Sequence, residues 1–414
     1  MRTGQRLMVR TGPFFPTFPF GWNPVSGILS LIAACAIAGL PFVRSAPNRM
    51  LTGEPVGLWQ VLMTAPSTLK GLVAGVLLLC FVTSVLKASR AVMWLQAGAA
   101  CTVVILWVTL AAAYAQHVAL TQSEIARTSL GAAFWVVLVL AWLMAADALQ
   151  RLGAGLLTRL ALLVAVLAVV VWMLASGAGD ALSIMKEHAN RADIFTAAVF
   201  RHLQIVLLAL IPTILMGLPL GWWVHRPASA NAAVFPVLNV IQTIPSIALF
   251  GLLMAPLALL AASFPQLARA GISGVGLAPG VIALVLYSLL PVVRGTLAGL
   301  QQVPQAVVEA ARGMGMSDLQ IAARVQLPLA LPVLLSGVQT ATIAAIGMAT
   351  ITALIGAGGL GAIMFEGLFS SAQDLVLLGV VPIVGLAVLA DALFKLGIKL
   401  VQTSVQADVP GDAP

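Results

Sequence analysis

Residues 301–328, QQVPQAVVEAARGMGMSDLQIAARVQLP, form a polar island between two apolar runs at roughly 277–300 and 329–356. Their order predicts a local fold. Pro304 suits the first turn of a helix, where a missing N–H costs nothing. Residues Gln305 to Met314 favour helix, and Gly315 suits a left-handed stop. Ser317 with Gln320 has the spacing of a capping box, and Met316 with Ile321 that of a hydrophobic staple. Pro328 is expected to end the second helix before the next apolar run begins. The island therefore reads as two short helices joined by a sharp glycine turn. Such an element at a membrane face is either an ordinary interfacial amphipathic pair or a rigid docking surface.

Outward from this island the chain is strongly apolar. Hydrophobic residues make up 61% of the 414 residues and charged residues 8%. Soluble domains average about 25% charged, so this surface belongs in lipid. The composition excludes a cytosolic enzyme, a disordered chain and a secreted disulfide scaffold. Apolar runs near the roughly 20 residues needed to span a bilayer occur at 24–43, 69–86, 92–116, 130–149, 156–175, 201–225, 234–263, 277–300, 329–356 and 374–400. The expected fold is an all-α polytopic membrane protein with about ten transmembrane helices. Run 234–263 is interrupted by prolines and reads as a broken or re-entrant segment.

The net charge of +8 is scattered, with no basic run interleaved with aromatics, so no nucleic-acid surface is expected. If both termini are cytoplasmic, 13 Lys/Arg fall on the inner side and 8 on the outer, which favours that orientation. Arg2, Arg6 and Arg10 before the first apolar run resemble a signal peptide, but an uncleaved first span preserves the downstream charge asymmetry. Cys35, Cys80 and Cys101 lie apart in apolar runs and read as buried small side chains. The four histidines have no ligand spacing, and no GxxxxGK[ST] occurs, so no metal, cofactor or catalytic residue is expected. The chain divides at its most polar inter-span segment. Residues 1–175 form an accessory region of about five spans, and 176–200 an extracytoplasmic connector. Residues 201–400 form a core of about five spans, and 401–414 a cytoplasmic tail.

The sequence Glu309-Ala310-Ala311, three residues, Gly315, nine residues, Val325-Gln326-Leu327-Pro328 resembles the EAA signature of ABC-importer permeases, with Val325 in place of Ile. The flanks QTIPSIALFGLL (242–253), LYSLLPVVRGTLAGLQQVPQAVVEAARGMGMS (286–317) and ATITALIGAGGLG (349–361) are similar to the glycine betaine/osmoprotectant, ProW-like permeases. The methionine permeases are more distant relatives with the same glycine-rich ending. The likeness covers roughly 195–400, and the preceding spans with the MKEHANRADIFTAAVFRH entry look like the long Yeh-type subgroup. Gly295 stands where many relatives have Asn, and Gln326 where many have Glu. The resemblance implies a type I ABC-importer permease core in the cell inner membrane. It implies that Glu309, Ala310, Ala311, Arg312, Gly313 and Gly315 form the coupling contact with a cytoplasmic ATPase subunit. It further implies a second permease subunit, identical or homologous, and an extracytoplasmic binding protein that carries most of the affinity. ATP would be bound by the partner, so the chain itself would be no enzyme and hold no cofactor.

Polar groups inside a span face the protein interior or a water path, or bond between helices. Asn239, Gln242, Thr243, Pro245 and Ser246 cluster in one run, and Tyr287 with Ser288 precedes Pro291, making these the candidate lining of a translocation path. Gly356, Gly358, Gly359 and Gly361 form an outward gate, a binding-protein contact or a helix terminator. GxxxG pairs at Gly71/Gly75, Gly217/Gly221 and Gly295/Gly299 are expected packing sites. Trp222 and Trp223 read as interfacial. Asp147 and Asp391 sit near span ends, not at mid-membrane where a proton relay would need them. The expected function is import of glycine betaine or a related osmoprotectant. Methionine or another small solute is the alternative, and a stand-alone secondary transporter the more distant one.

Overall fold

The computed structural model describes residues 23–48, 51, 53–225, 231–269 and 271–407. Arg2, Arg6, Arg10, Arg49 and Arg226, and residues 408–414 of the expected tail, lie outside the described residues. The chain divides into two compact units, Met1–Leu182 and Ser183–Pro414.

In the first unit, α1 (Pro24–Gly39) starts on Asn23, whose side chain accepts from the Val25 N–H. It ends before Leu40, which is extended ahead of Pro41. At 16 residues it is about 24 Å long, short of a hydrocarbon core of about 30 Å. The expected span 24–43 is therefore cut short. The chain turns instead into a sheet that the all-α expectation lacks: β1 (Val43–Ala46) lies between β2 (Glu54–Val56) and β3 (Arg127–Leu130), antiparallel to both. Phe42, fully buried, anchors it with its ring 5.1 Å from that of Trp107 and 5.9 Å from that of Phe134. The remaining helices are α2 (Leu58–Thr64), α3 (Ser67–Val85), α4 (Arg90–Thr121), α5 (Ala132–Arg151) and α6 (Leu156–Ala175). Asp147 on α5 is held by Asn23 and Arg151, each at 2.9 Å. Cys35 is exposed, against the expectation, while Cys80 is buried and Cys101 half-buried. Gly71 and Gly75 face open space, so this pair is no packing site within the chain.

The second unit begins with α7 (Ser183–Asn190) and α8 (Ala192–His225). The expected connector 176–200 is thus largely helical. The expected run 234–263 is two helices, α9 (Asn231–Thr243) and α10 (Ser246–Ser263), broken at Ile244-Pro245. Then follow α11 (Pro265–Arg269), α12 (Leu277–Gln301), α13 (Gln305–Gly313), α14 (Asp318–Ile321), α15 (Leu327–Ala349), α16 (Leu360–Phe369) and α17 (Gln373–Ala407). The tail expected from 401 is helical to Ala407. Among the described residues nine helices are long and apolar enough to cross a membrane, with α1 among the shorter ones.

Glycines set the central packing. A Cβ on Gly217 would lie 2.8 Å from the Val292 side chain, and one on Gly221 2.5 Å from Thr296, so α8 runs parallel to α12 at close range. A Cβ on Gly295 would meet Gly337 Cα at 2.7 Å, and one on Gly299 the Ala330 carbonyl at 2.8 Å, so α15 returns antiparallel on α12. Gln339 on α15 donates to Asp391 on α17 at 2.7 Å, placing the C-terminal part of α17 beside the N-terminal part of α15. Loop 302–317 and the C-terminal stretch of α17 consequently share one end of this unit, and the turn 350–361 lies at the other.

Candidate functional site

The loop after α12 takes the predicted form at its first turn. Gly315 has φ +82°, a left-handed conformation that favours glycine. Its N–H bonds Arg312 O at 3.0 Å, and Met316 N–H bonds Ala311 O at 3.2 Å, the two bonds of a Schellman turn. Ser317 and Gln320 close a capping box, Ser317 N–H to Gln320 Oε1 at 2.8 Å and the reciprocal bond at 3.4 Å. Ala311 and Ile321 are buried beneath the turn, while Glu309, Ala310, Arg312 and Gly313 stand exposed. Arg312 pairs across the turn with Asp318 at 3.2 Å, with both side chains largely exposed. Val307, Met314 and Leu319 are also exposed, Leu319 at 80%. The loop therefore presents a turned surface that mixes exposed apolar side chains with polar ones, Glu309 among them.

The expected stop at Pro328 is absent. A π-helical turn, Ala322–Gln326, joins α14 directly to α15, and Pro328 follows it as the second residue of α15. One continuous helical rod thus leads from the exposed loop to Ala349, about 35 Å further on for α15 alone.

The candidate path residues gather at the α9–α10 break. Gln242 donates to Tyr287 O at 2.6 Å, and the Tyr287 hydroxyl donates to Ile244 O, a carbonyl in the break between the two helices. Asn239 accepts from Arg294 at 2.9 Å. Asn239, Gln242, Thr243 and Pro245 are exposed, Ser246 is half-buried, and Tyr287 is buried at 7% exposure. Val237, Val240 and Ile247 share the exposure of this stretch. An apolar groove of about 430 Å³ lies elsewhere, between α15 and α17, lined by Ile343, Gly347, Ile383, Val384, Ala387, Val388 and Asp391. None of the candidate path residues lines it.

At the far end, α15 gives way to a 3₁₀ turn, Ile351–Ile355, and then to Gly356, Gly358 and Gly359, all near φ +82°. A Cβ on Gly361 would sit 2.1 Å from Thr350 O, so only glycine fits there. Two α8 side chains that sequence reading passed over grip this turn. Arg201 Nε donates to Ala357 O at 2.9 Å, and His202 Nε2 lies 3.1 Å from Ile346 O. A third polar bridge, from the residue just before α8, reaches α16, Arg191 to Glu366 at 2.6 Å. Their partners lie 144 to 175 residues away, beyond any local pattern. Among the described residues no group of His, Cys, Asp or Glu is arranged to hold a metal ion.

Comparison with known proteins finds relatives for both parts of the chain. Residues 23–185 match the family described as "ABC transporter permease YehY, N-terminal domain", and residues 213–401 match "Binding-protein-dependent transport system inner membrane component". The osmoprotectant import permease protein OsmW of Salmonella typhimurium is 37% identical over 202 residues, 49% of this chain and 89% of that protein. The choline transport system permease protein OpuBB of Bacillus subtilis is 36% identical, over 46% of this chain and 81% of that protein. The glycine betaine/proline betaine permease protein ProW of Escherichia coli is 35% identical, over 46% of this chain and 49% of that protein. Among solved structures, an inward-facing MetNI methionine ABC transporter chain is 23% identical over 51% of this chain and 98% of that one, with a TM-score of 0.45.

Proposed function

Because this chain belongs to the binding-protein-dependent inner-membrane components of ABC importers, in the osmoprotectant permease group, we propose that it carries glycine betaine or a related compatible solute into the cell. The observation that carries this reading is the rigid loop 305–321, whose capped glycine turn exposes Glu309, Ala310 and Met314 at one end of a helical rod.

In this reading the loop is the seat of a cytoplasmic ATPase subunit. Small side chains at Ala310 and Gly313 let a partner approach the backbone, and Glu309 offers a charged rim contact. Arg312, Arg324, Lys395 and Lys399 lie on the loop or toward its end of the unit, which supports a cytoplasmic placement and with it a cytoplasmic C-terminus. Two permease subunits, identical or homologous, face each other across the exposed α9 stretch, and Asn239, Gln242, Thr243, Pro245, Ser246 and Tyr287 border the path between them. The turn with Gly356, Gly358, Gly359 and Gly361 is the extracytoplasmic gate. ATP hydrolysis lies in the partner, and recognition lies mainly in an extracytoplasmic binding protein. The single buried tyrosine near the path, with its hydroxyl already engaged, offers no aromatic cage for a quaternary ammonium.

The test is ATP hydrolysis and solute uptake in proteoliposomes holding this chain, its ATPase and a binding protein loaded in turn with glycine betaine, choline, carnitine or methionine. Stimulation by a betaine-type ligand is the expected result. Uptake driven by an ion gradient without any ATPase would overturn the reading.

A further inference from the structure

The ring of His202 is fully buried in the N-terminal half of α8, yet it uses only one of its two nitrogens. Nε2 meets Ile346 O, so the Nε2 atom carries the proton and Nδ1 is a bare acceptor. Nδ1 has no partner, and it faces Gly359, where an added Cβ would lie 3.3 Å from it. An ordinary core histidine is satisfied at both nitrogens.

The carbonyl that His202 takes is a specific one. A continuing α-helix would give the Thr350 N–H to Ile346 O, but Thr350 bonds Gly347 O at 3.2 Å as the helix tightens into its 3₁₀ turn. Ile346 O is thus an orphan at the end of α15, and His202 satisfies it. The same turn is held from α12, where Gly276 N–H bonds Ile355 O at 2.7 Å, and from α8 by Arg201 on Ala357 O. The segment 346–361 is therefore the meeting point of α8, α12, α15 and α16, at the opposite end of α15 from the exposed loop.

We propose that His202 is the positioning residue that holds this turn shut against α8, and that its bond to Ile346 breaks when the pathway opens at this end. The proposal rests on the permease reading above. A clamp of this kind is tight enough to order the turn and poor enough to release it. Movement of the turn costs the Nε2 bond but opens Nδ1 to an N–H or to water, removing an unpaired buried acceptor. The two arrangements are thus closer in energy than if both nitrogens were satisfied now, as a gate with two states requires.

The experiment uses the whole chain assembled with its ATPase in lipid nanodiscs and compares wild type with His202→Phe, His202→Gln and Arg201→Met. His202→Phe keeps the volume and loses the donor, while His202→Gln restores an N–H. The first readout is hydrogen exchange of amides 347–361. The second is ATPase activity without loaded binding protein. His202→Phe should exchange these amides about tenfold faster and raise basal hydrolysis by a similar factor, the scale of one lost buried hydrogen bond. His202→Gln should return both toward wild type. Unchanged exchange and unchanged basal hydrolysis in His202→Phe would overturn the clamp. If that variant does not assemble, Arg201→Met loosens the same turn from Ala357 and must show the same two changes, or the clamp falls. Wild-type complex that never hydrolyses ATP, with the exchange result intact, would instead count against the permease reading.

Discussion

At the scale of single residues, glycine serves two separate physical purposes here, and substitution separates them. Gly315 has open space around it, so its requirement is conformational. A β-branched side chain at φ +82° costs roughly 1–2 kcal/mol, which the capped turn can escape only by changing its shape. Gly315→Val should therefore lose ATPase binding and coupled uptake, while Gly315→Asn, which tolerates the left-handed region, should keep most of both. Co-purification of the ATPase with each variant checks this, and normal coupling in an assembled Gly315→Val protein would refute it. Gly295 and Gly337 have the opposite requirement, since a Cβ on either would fall within 3 Å of the other's backbone. Gly337→Ala should push α12 from α15 and cost about 1–3 kcal/mol, visible as a lower melting temperature in detergent. Gly71→Ala, with nothing near it, should change stability by less than about 0.5 kcal/mol.

At the scale of elements, what the sequence disclosed was what local chemistry decides. The loop from Pro304 to Gln320 was readable because its cap and its glycine lie within a few residues of one another. The break in the 234–263 run was readable because Pro245 restricts its predecessor. The sheet was not readable, because strands of three and four residues carry no alternation and β1 pairs with β3 some 84 residues away. The merger of α14 into α15 was hidden for another reason. Pro328 reads as a helix stop, and only the structure shows the π-helical turn at Ala322–Gln326 that carries the chain on into α15. His202 gave no signal of its contact, since it closes the 185–202 stretch and its partner sits 144 residues on. The α9–α10 break yields a prediction at this scale. Pro245→Ala restores an N–H and lifts the restriction on Ile244, so the two helices should tend to fuse. Amides 244–247 should then gain protection in hydrogen exchange, and Gln242 should lose its hold on Tyr287 O. Unchanged protection would mean that Tyr287, through its bond to Ile244 O, fixes the break without help from the proline.

At the scale of the whole molecule, the two units are unequal partners in the proposed function. The curated osmoprotectant permease from Salmonella typhimurium is matched over 89% of its own length by only 49% of this chain. All the candidate coupling, path and gate residues lie in Ser183–Pro414. We therefore expect a chain beginning at Ser183 to support ATP-dependent uptake in proteoliposomes, with the first unit altering rate or regulation and not the transport step. The boundary matters more than the length. A chain beginning at residue 213, where the family match starts, lacks Arg191, Arg201 and His202, and with them the three polar bridges from residues 191–202 to the 346–366 segment. That shorter chain also removes the helical turns whose buried Ile205, Val206 and Ala209 pack against Leu284, Ile346 and Leu360. It should insert and still bind the ATPase through loop 305–321, yet hydrolyse ATP without moving solute. Uptake by the 213–414 chain equal to that of the 183–414 chain would show that the N-terminal part of α8 is dispensable and that the gate is held elsewhere. Failure of both, with ATPase bound, would assign the transport step to the two units together.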